Sequence, residues 1–306
     1  MTICVDMGAT EIKVAPMRKN EEGITLGKVE KFPTNASLGK EGIVTALERA
    51  IASLASGEAE GIAIASAGDI DTATSTITYA TENLPGMIGF DFGAFCREKF
   101  QLPAKAINDA HAALIGEMAY GAGKDYANAR VCMLTLGSGV GGGYFADGDI
   151  VSNKENDYGR FGHVCLEKDG RLCTCGRRGC AEMYLSGRAI HKDADAMGID
   201  GPHIFDKYAE GEERHVRFVN TLRQNLRLTL DKIMQISPFD ICIIGGGVAD
   251  WMGEHFSAIM GDLGYKIIKA SLGNSAGMAG AYAHYQKQQK QKNTKHDTTI
   301  RTKDLK

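Results

Sequence analysis

The chain has 306 residues, 43% hydrophobic and 24% charged, with a net charge of −3, an ordinary globular composition with room for one large domain or two medium ones. No apolar run reaches the length of a membrane span, and the opening MTICVDMGAT lacks a basic segment followed by an apolar one. Neither a spanning segment nor a signal peptide is therefore expected, and a cytoplasmic protein is. From Gln286 onward seven Lys/Arg face two Asp, so the body is acidic and the tail basic; without aromatics that tail reads as a solvated end rather than a nucleic-acid arm.

The predicted elements alternate between strand and helix. Ile3–Val5 and Ile12–Met17 are apolar runs separated by Gly8-Ala9-Thr10, which reads as strand, tight turn and strand. Ile43, Leu47, Ile51 and Leu54 recur at helical spacing over residues 40–55, and the short apolar run Gly61–Ala65 follows. Ile107 closes a further strand, and Asn108-Asp109 caps a helix through Ala113, Ile115 and Met118 that ends at Gly121. A second strand, turn and strand covers Val131–Leu136, Gly137–Gly143 and Tyr144–Ala146, repeating the logic of the first and pointing to two related α/β lobes. Val219, Leu222, Leu226, Leu230 and Ile233 mark a long helix around 214–235. It leads to the strand Asp240–Ile244 and the turn Gly245-Gly246-Gly247, where another helix begins. A last glycine cluster over 272–281 precedes a terminal helix near Tyr282–Tyr285.

Four metal-type ligands, His163, Cys173, Cys175 and Cys180, fall within residues 163–180, followed by Glu182. Three thiolates and an imidazole complete a tetrahedral zinc sphere and leave no open position for a catalytic water, so the expected ion is structural. A disulfide framework competes, but Cys173 and Cys175 are one residue apart, where a bridge is strained. The remaining cysteines are scattered, mostly in apolar runs, and read as small buried hydrophobes in a reducing compartment.

Glycine-rich turns directly after strands let backbone N–H groups converge on an anion, and three such turns point to a polyphosphate ligand. Each one alone also fits a packing turn. Asp6 and Thr10 add a carboxylate and a hydroxyl beside the first turn, which suits Mg²⁺-bound phosphate; Asp6 as an ordinary turn residue is the bland alternative. Asp109 stands at a helix start, where the positive end of the helix dipole favours an ionised carboxylate able to take a proton from a substrate hydroxyl; simple N-capping is the alternative.

The ordered motifs Asp6-x-Gly8-x-Thr10, Ile107-Asn108-Asp109-Ala110, Leu136-Gly-Ser-Gly-Val-Gly-Gly-Gly143, Gly162-His163 with its cysteine cluster, and Ile244-Gly-Gly-Gly247 resemble those of ROK (repressor, open reading frame, kinase) sugar kinases over about residues 1–285. The resemblance implies an α/β fold of two actin-like, ribonuclease-H-like lobes with a cleft between them. The lobes would cover 1–108, with a terminal helix of about 281–292 packing back on it, and 109–280, with the zinc loop 163–180; residues 293–306 would be a disordered tail. It implies ATP-dependent phosphorylation of a hexose hydroxyl, normally O6, with Asp109 as general base and most of the catalysis from alignment and Mg²⁺. Gly68, Asn108, Asp109, Arg160, His163 and Glu182 would meet the sugar. Asp6, Gly8, Ala9, Thr10, Lys13, Gly137, Ser138, Gly139 and Gly141 would hold ATP phosphates and Mg²⁺, with Gly245, Gly246 and Gly247 near the adenosine. A homodimer is the default assembly. With the first turn at residue 6, the helix-turn-helix module of ROK repressors is not expected.

One position departs from that pattern. Family kinases usually carry Glu-x-Gly-His at the sugar site, and this chain has Arg160-Phe161-Gly162-His163. A guanidinium only donates hydrogen bonds, so it cannot take the same hydroxyl pair. Arg160 as a lost, solvent-facing contact, as a reader of an anionic or altered sugar, or as the mark of a sensor that binds sugar without phosphorylating it are the three open accounts. Glucose leads as substrate, with N-acetylmannosamine and a β-glucoside behind it.

Overall fold

The structure, a computed structural model, describes residues 1–21 and 23–303, with residues 292–303 described by backbone alone. It divides into two compact units, residues 1–120 with 275–306 and residues 121–274.

The first unit is built on strands β1 (Thr2–Met7), β2 (Glu11–Asn20), β3 (Gly23–Leu26), β4 (Glu30–Pro33), β5 (Gly61–Ser66) and β8 (Ala104–Asn108). The sheet order is β3-β2-β1-β5-β8, with β4 also paired to β2. β1 and β2 form an antiparallel hairpin, while β1, β5 and β8 run parallel. β5, GIAIAS, is buried at every position, as expected of a parallel strand covered on both faces. Helix α1 (Gly39–Ala52) buries Ile43, Leu47 and Ile51 on one face. A small pair, β6 (Asp69–Asp71) with β7 (Thr76–Tyr79), precedes α2 (Phe92–Phe100), whose N-cap Asp91 accepts from the Ala94 amide. Helix α3 (Asp109–Tyr120) starts directly at the end of β8.

The second unit repeats this scheme. Strands β9 (Val131–Leu136), β10 (Val140–Ala146), β11 (Asp149–Ile150), β12 (Ile241–Gly245) and β13 (Ile267–Lys269) order as β11-β10-β9-β12-β13. Again an antiparallel hairpin, β9–β10, is extended by parallel strands. Helices α4 (Glu182–Leu185), α5 (Gly187–Ala196), α6 (Ile204–Ala209) and α7 (Glu213–Ile236) fill the long connection before β12, and α8 (Gly247–Trp251) and α9 (Phe256–Met260) follow it. Phe218, Val219, Leu222, Leu226, Leu230 and Ile233 of α7 enter a core that also holds Leu134, Leu136 and Ile244.

The last helix, α10 (Ala276–Lys303), returns to the first unit. Here the expected boundaries are corrected. The sequence divides the chain at 108/109 and 280/281, but α3 stays with the first unit because α10 packs along it. Gly116 and Gly280 are the reason they can: a Cβ on Gly280 would sit 1.6 Å from the Ala112 carbonyl oxygen, and one on Gly116 would sit 2.5 Å from that of Ala276. The 272–281 glycines therefore include a helix crossing, where glycine serves close approach rather than a turn. The helix also runs past the expected end at about 292, since residues 281–303 contain neither Gly nor Pro; of the tail expected over 293–306, residues 304–306 lie outside the described residues.

A second correction concerns Gly137–Gly143. Only residues 137–139 are turn, while Gly141–Gly143 are paired inside β10. A Cβ on Gly142 would meet Phe161 Cβ at 2.8 Å, and one on Gly162 would lie 2.0 Å from the Val140 carbonyl oxygen. These glycines let the short helical turn Phe161–His163 press against the β10 backbone.

Candidate functional site

The predicted site residues fall into two groups, one in each unit. In the first, β1, β8 and the start of α3 bring Asp6, Asn108 and Asp109 together. Asn108, at the end of β8, is the effective helix cap: its Oδ1 accepts from the Ala110 and His111 amides, each at 3.0 Å. Its Nδ2 donates to the Gly68 carbonyl at 2.9 Å and to Asp109 Oδ1 at 3.1 Å. Both acceptor positions and both donors of the amide are thus engaged within the protein. Gly68, at φ 92°, can make that turn because it lacks a Cβ.

With the capping done by Asn108, Asp109 keeps one carboxylate oxygen outside these hydrogen bonds. Its Oδ1 accepts from the Asn108 side chain and the Ala110 amide at 2.8 Å, and Oδ2 has no hydrogen bond among the described residues. Burial, and then the negative charge of Asp6, push its carboxyl up to about 6. Burial also raises Asp6, against the pull of Lys13, whose ammonium stands 3.4 Å from Asp6 Oδ2. Asp6 and Lys13 are opposed residues of the β1–β2 hairpin. A pair of carboxylates that repel one another is a receptive place for a divalent cation or for a proton to be taken.

The hairpin turn beside them is closed by the Gly8 amide donating to Glu11 O at 3.0 Å. Sequence reasoning missed its keeper, Thr34. This fully buried residue donates its hydroxyl to Gly8 O at 2.8 Å and its amide to Thr10 O at 3.0 Å. A polar residue just past an edge strand, Pro33-Thr34, carried no signal of that role.

In the second unit, the ligand atoms of His163, Cys173, Cys175 and Cys180 all lie within 4.8 Å of one another. Cys173 Sγ is 3.6 Å from His163 Nδ1, and Cys175 Sγ is 3.6 Å from Cys180 Sγ. A tetrahedral zinc with ordinary bond lengths would hold sulfurs about 3.8 Å apart and a sulfur about 3.6 Å from an imidazole nitrogen, so the donor set fits that ion. Burial lowers His163 against the pull of Glu182, which favours the neutral ring a metal needs. Burial raises Cys173 and Cys180; on Cys175 the same effect is outweighed by hydrogen bonds from Arg177 and the neighbouring thiols.

Glu182 begins α4 directly after this loop. Its Oε2 accepts from the Val140 amide at 3.0 Å, and its Oε1 lies 3.5 Å from Thr174 Oγ1. The carboxylate therefore joins the cysteine loop to the glycine turn. A Cβ on Gly139 would come within 2.6 Å of Oε2. Gly137 and Ser138 share that turn, while Gly141 is in the strand beyond it. Gly245, Gly246 and Gly247 link β12 to α8, with Gly246 at φ 88° and too close to Leu136 O for any side chain.

Arg160 is half-buried, its guanidinium 5.3 Å from the Tyr158 ring centre and 3.7 Å from Asp157 Oδ1. Arg177 holds the other oxygen of Asp157 at 3.4 Å. Asp157, Tyr158 and Gly159 all have positive φ, a costly run for two residues with side chains.

The chain matches the ROK family over residues 2–288. An N-acetylmannosamine kinase of Salmonella newport is 30% identical over 249 residues, 81% of this chain and 83% of that protein. A ROK family glucokinase from Streptomyces griseus, solved in complex with glucose and AMPPNP, has a TM-score of 0.74 at 28% identity, covering 92% of this chain and 97% of that one. A ROK hexokinase from Thermus thermophilus has a TM-score of 0.71 at 25% identity, covering 94% and 99%. No described helix is long and apolar enough to cross a membrane.

Proposed function

From the premise that this chain belongs to the ROK family, we propose that it is a sugar kinase that moves the γ-phosphoryl group of ATP to a hexose hydroxyl, O6 of glucose or a close relative. The observation that carries the reading is Asp109: a half-buried carboxylate, raised to about 6, aimed by Asn108 and with one oxygen uncommitted. Ionised above that pH, Asp109 takes the proton of the attacking hydroxyl as the new O–P bond forms; the proton ends on its carboxylate and ADP leaves. Asp6 and Lys13 stand beside it for Mg²⁺ and phosphate, with the turn Gly8, Ala9 and Thr10. Mg²⁺ arriving with the nucleotide would neutralise phosphate charge.

In the second unit, Gly137, Ser138 and Gly139 offer backbone amides to phosphate, and Gly245–Gly247 lie on the adenosine side. His163, Cys173, Cys175 and Cys180 would hold a structural zinc, which supplies rigidity to the loop that positions Glu182. Glu182, His163 and Gly68 are the sugar-contacting groups of this reading. Asn108 joins them only by releasing Gly68 or Asp109, so we assign it first to orienting the base. The protein works in the cytoplasm as a homodimer.

ATP-dependent phosphorylation of a sugar panel, wild type against Asp109→Asn, tests the reading. Turnover that disappears in the variant supports it. A sugar that binds and stabilises the fold while none is phosphorylated would instead support a sensor, the account the Arg160 substitution leaves open. The same panel addresses substrate choice between glucose, N-acetylmannosamine and a β-glucoside. Arg160→Glu is expected to raise glucose turnover; an unchanged kcat/KM for every sugar would take Arg160 out of the sugar site.

A further inference from the structure

The turn between β9 and β10 is held by Glu182 and by two residues, Gly187 and Arg188, that no sequence motif singled out. Gly187 donates its amide to Gly137 O at 2.7 Å, Arg188 donates Nε to Ser138 O at 2.6 Å, and Glu182 accepts the Val140 amide. Two consecutive carbonyls of the turn are thus drawn onto the start of α5. In a trans peptide the N–H points opposite to its C=O, so the amides of Ser138 and Gly139 are turned away from α5. Neither has a hydrogen-bond partner among the described residues. Paired, outward-facing amides of this kind form an anion-binding nest. The start of α5 is itself fixed, since Ser186 caps it by accepting from the Ala189 amide at 3.3 Å.

We propose that Arg188 is a positioning residue for the nucleotide: by holding the Ser138 carbonyl back, it keeps the Ser138–Gly139 peptide oriented with its N–H toward phosphate. This rests on the kinase reading above and deepens it. Glycine at 139 makes the peptide free to rotate, so without the guanidinium the Ser138 carbonyl can swing round and present an oxygen to the phosphate anion. Arg188 acts from the carbonyl side and does not itself meet the nucleotide.

Binding of AMPPNP and of adenosine to wild type, Arg188→Ala and Arg188→Lys, together with KM for ATP and for the phosphorylated sugar, tests this. In Arg188→Ala, AMPPNP binding is expected to weaken and KM for ATP to rise by about tenfold, the worth of one charge-assisted hydrogen bond. Adenosine binding and the sugar's KM should stay within about twofold, because neither depends on the phosphate nest. Arg188→Lys, whose ammonium can reach the same carbonyl, should recover most of the loss. Equal losses for AMPPNP and adenosine would mean general destabilisation of the unit and would overturn the assignment, as would no loss at all. Should Arg188→Ala fail to fold, Arg188→Gln is read by the same two criteria. Wild type that binds no AMPPNP would remove the kinase reading itself, whereas wild-type binding that the variants leave intact removes only the role of Arg188.

Discussion

The two hairpin turns, 8–10 in the first unit and 137–139 in the second, are built to one plan and kept in place by different means. Each joins the antiparallel pair that starts its sheet, and each has carbonyls tied back from elsewhere in the unit. The first is tied by Thr34, 26 residues from Gly8, with a neutral hydroxyl and an amide from the end of the same sheet. The second is tied by Glu182, Gly187 and Arg188, which follow directly on the cysteine loop. One turn owes its shape to its own sheet. The other owes it to the segment that follows a metal-type cluster, so the two halves of the chemistry should fail under different insults.

The largest expected effect falls on the first unit. Asp109→Asn should lower kcat by about 10³-fold, within the usual range for loss of a general base, measured with saturating ATP and sugar. The same change should stabilise the ligand-free chain. An unfolded aspartate titrates near about 3.9 and the folded one at about 6, so the folded chain holds its proton more tightly. The resulting stability is fully present below the lower value and lost as pH rises through the higher one. At pH 7 the charge is a burden that asparagine removes, and a Tm rise of roughly 3 °C is expected by calorimetry. A drop in Tm would contradict the burial account of Asp109.

Next comes the metal. Cys180→Ser should abolish stoichiometric zinc by elemental analysis and weaken AMPPNP binding by about 10- to 100-fold, the usual cost of loosening groups around a metal. Hydrogen exchange should speed up at 137–140 and stay unchanged at 8–10. Equal loosening of both turns would break the comparison. A finer test is one methyl group on each turn. Gly8→Ala meets only Glu11 O at 3.4 Å, whereas Gly139→Ala meets Glu182 Oε2 at 2.6 Å. The second should raise KM for ATP several-fold more than the first in parallel assays. Smallest is the pH effect on wild type: kcat/KM should fall with unit slope below pH about 6 as Asp109 takes up its proton.

What the sequence made legible followed from local pattern. The hairpins, α7 and the β8–α3 junction all declare themselves by apolar spacing and a cap within a few residues. The cysteine cluster did so by chemistry, since four soft or borderline ligands so close together have few other uses. What stayed hidden was contact across sequence. Thr34 and Arg188 act on partners 26 and 50 residues away, and neither residue type marks its target. Glycine misled in two places for one reason: it permits a turn and it permits close approach, and only the neighbour decides which. Gly142 faces Phe161 and Gly280 faces Ala112, partners no local window contains.

The glycine crossing of α3 and α10 also sets an order of events during synthesis. The first unit lacks the helix that covers part of β1, β5 and β8 until residues beyond 275 have been made. The ribosome must therefore deliver the entire second unit while the first waits half-assembled. Unit two, contiguous in the chain, can fold as it emerges, and the late docking of α10 closes the product in one long-range step whose slowness follows from its sequence separation.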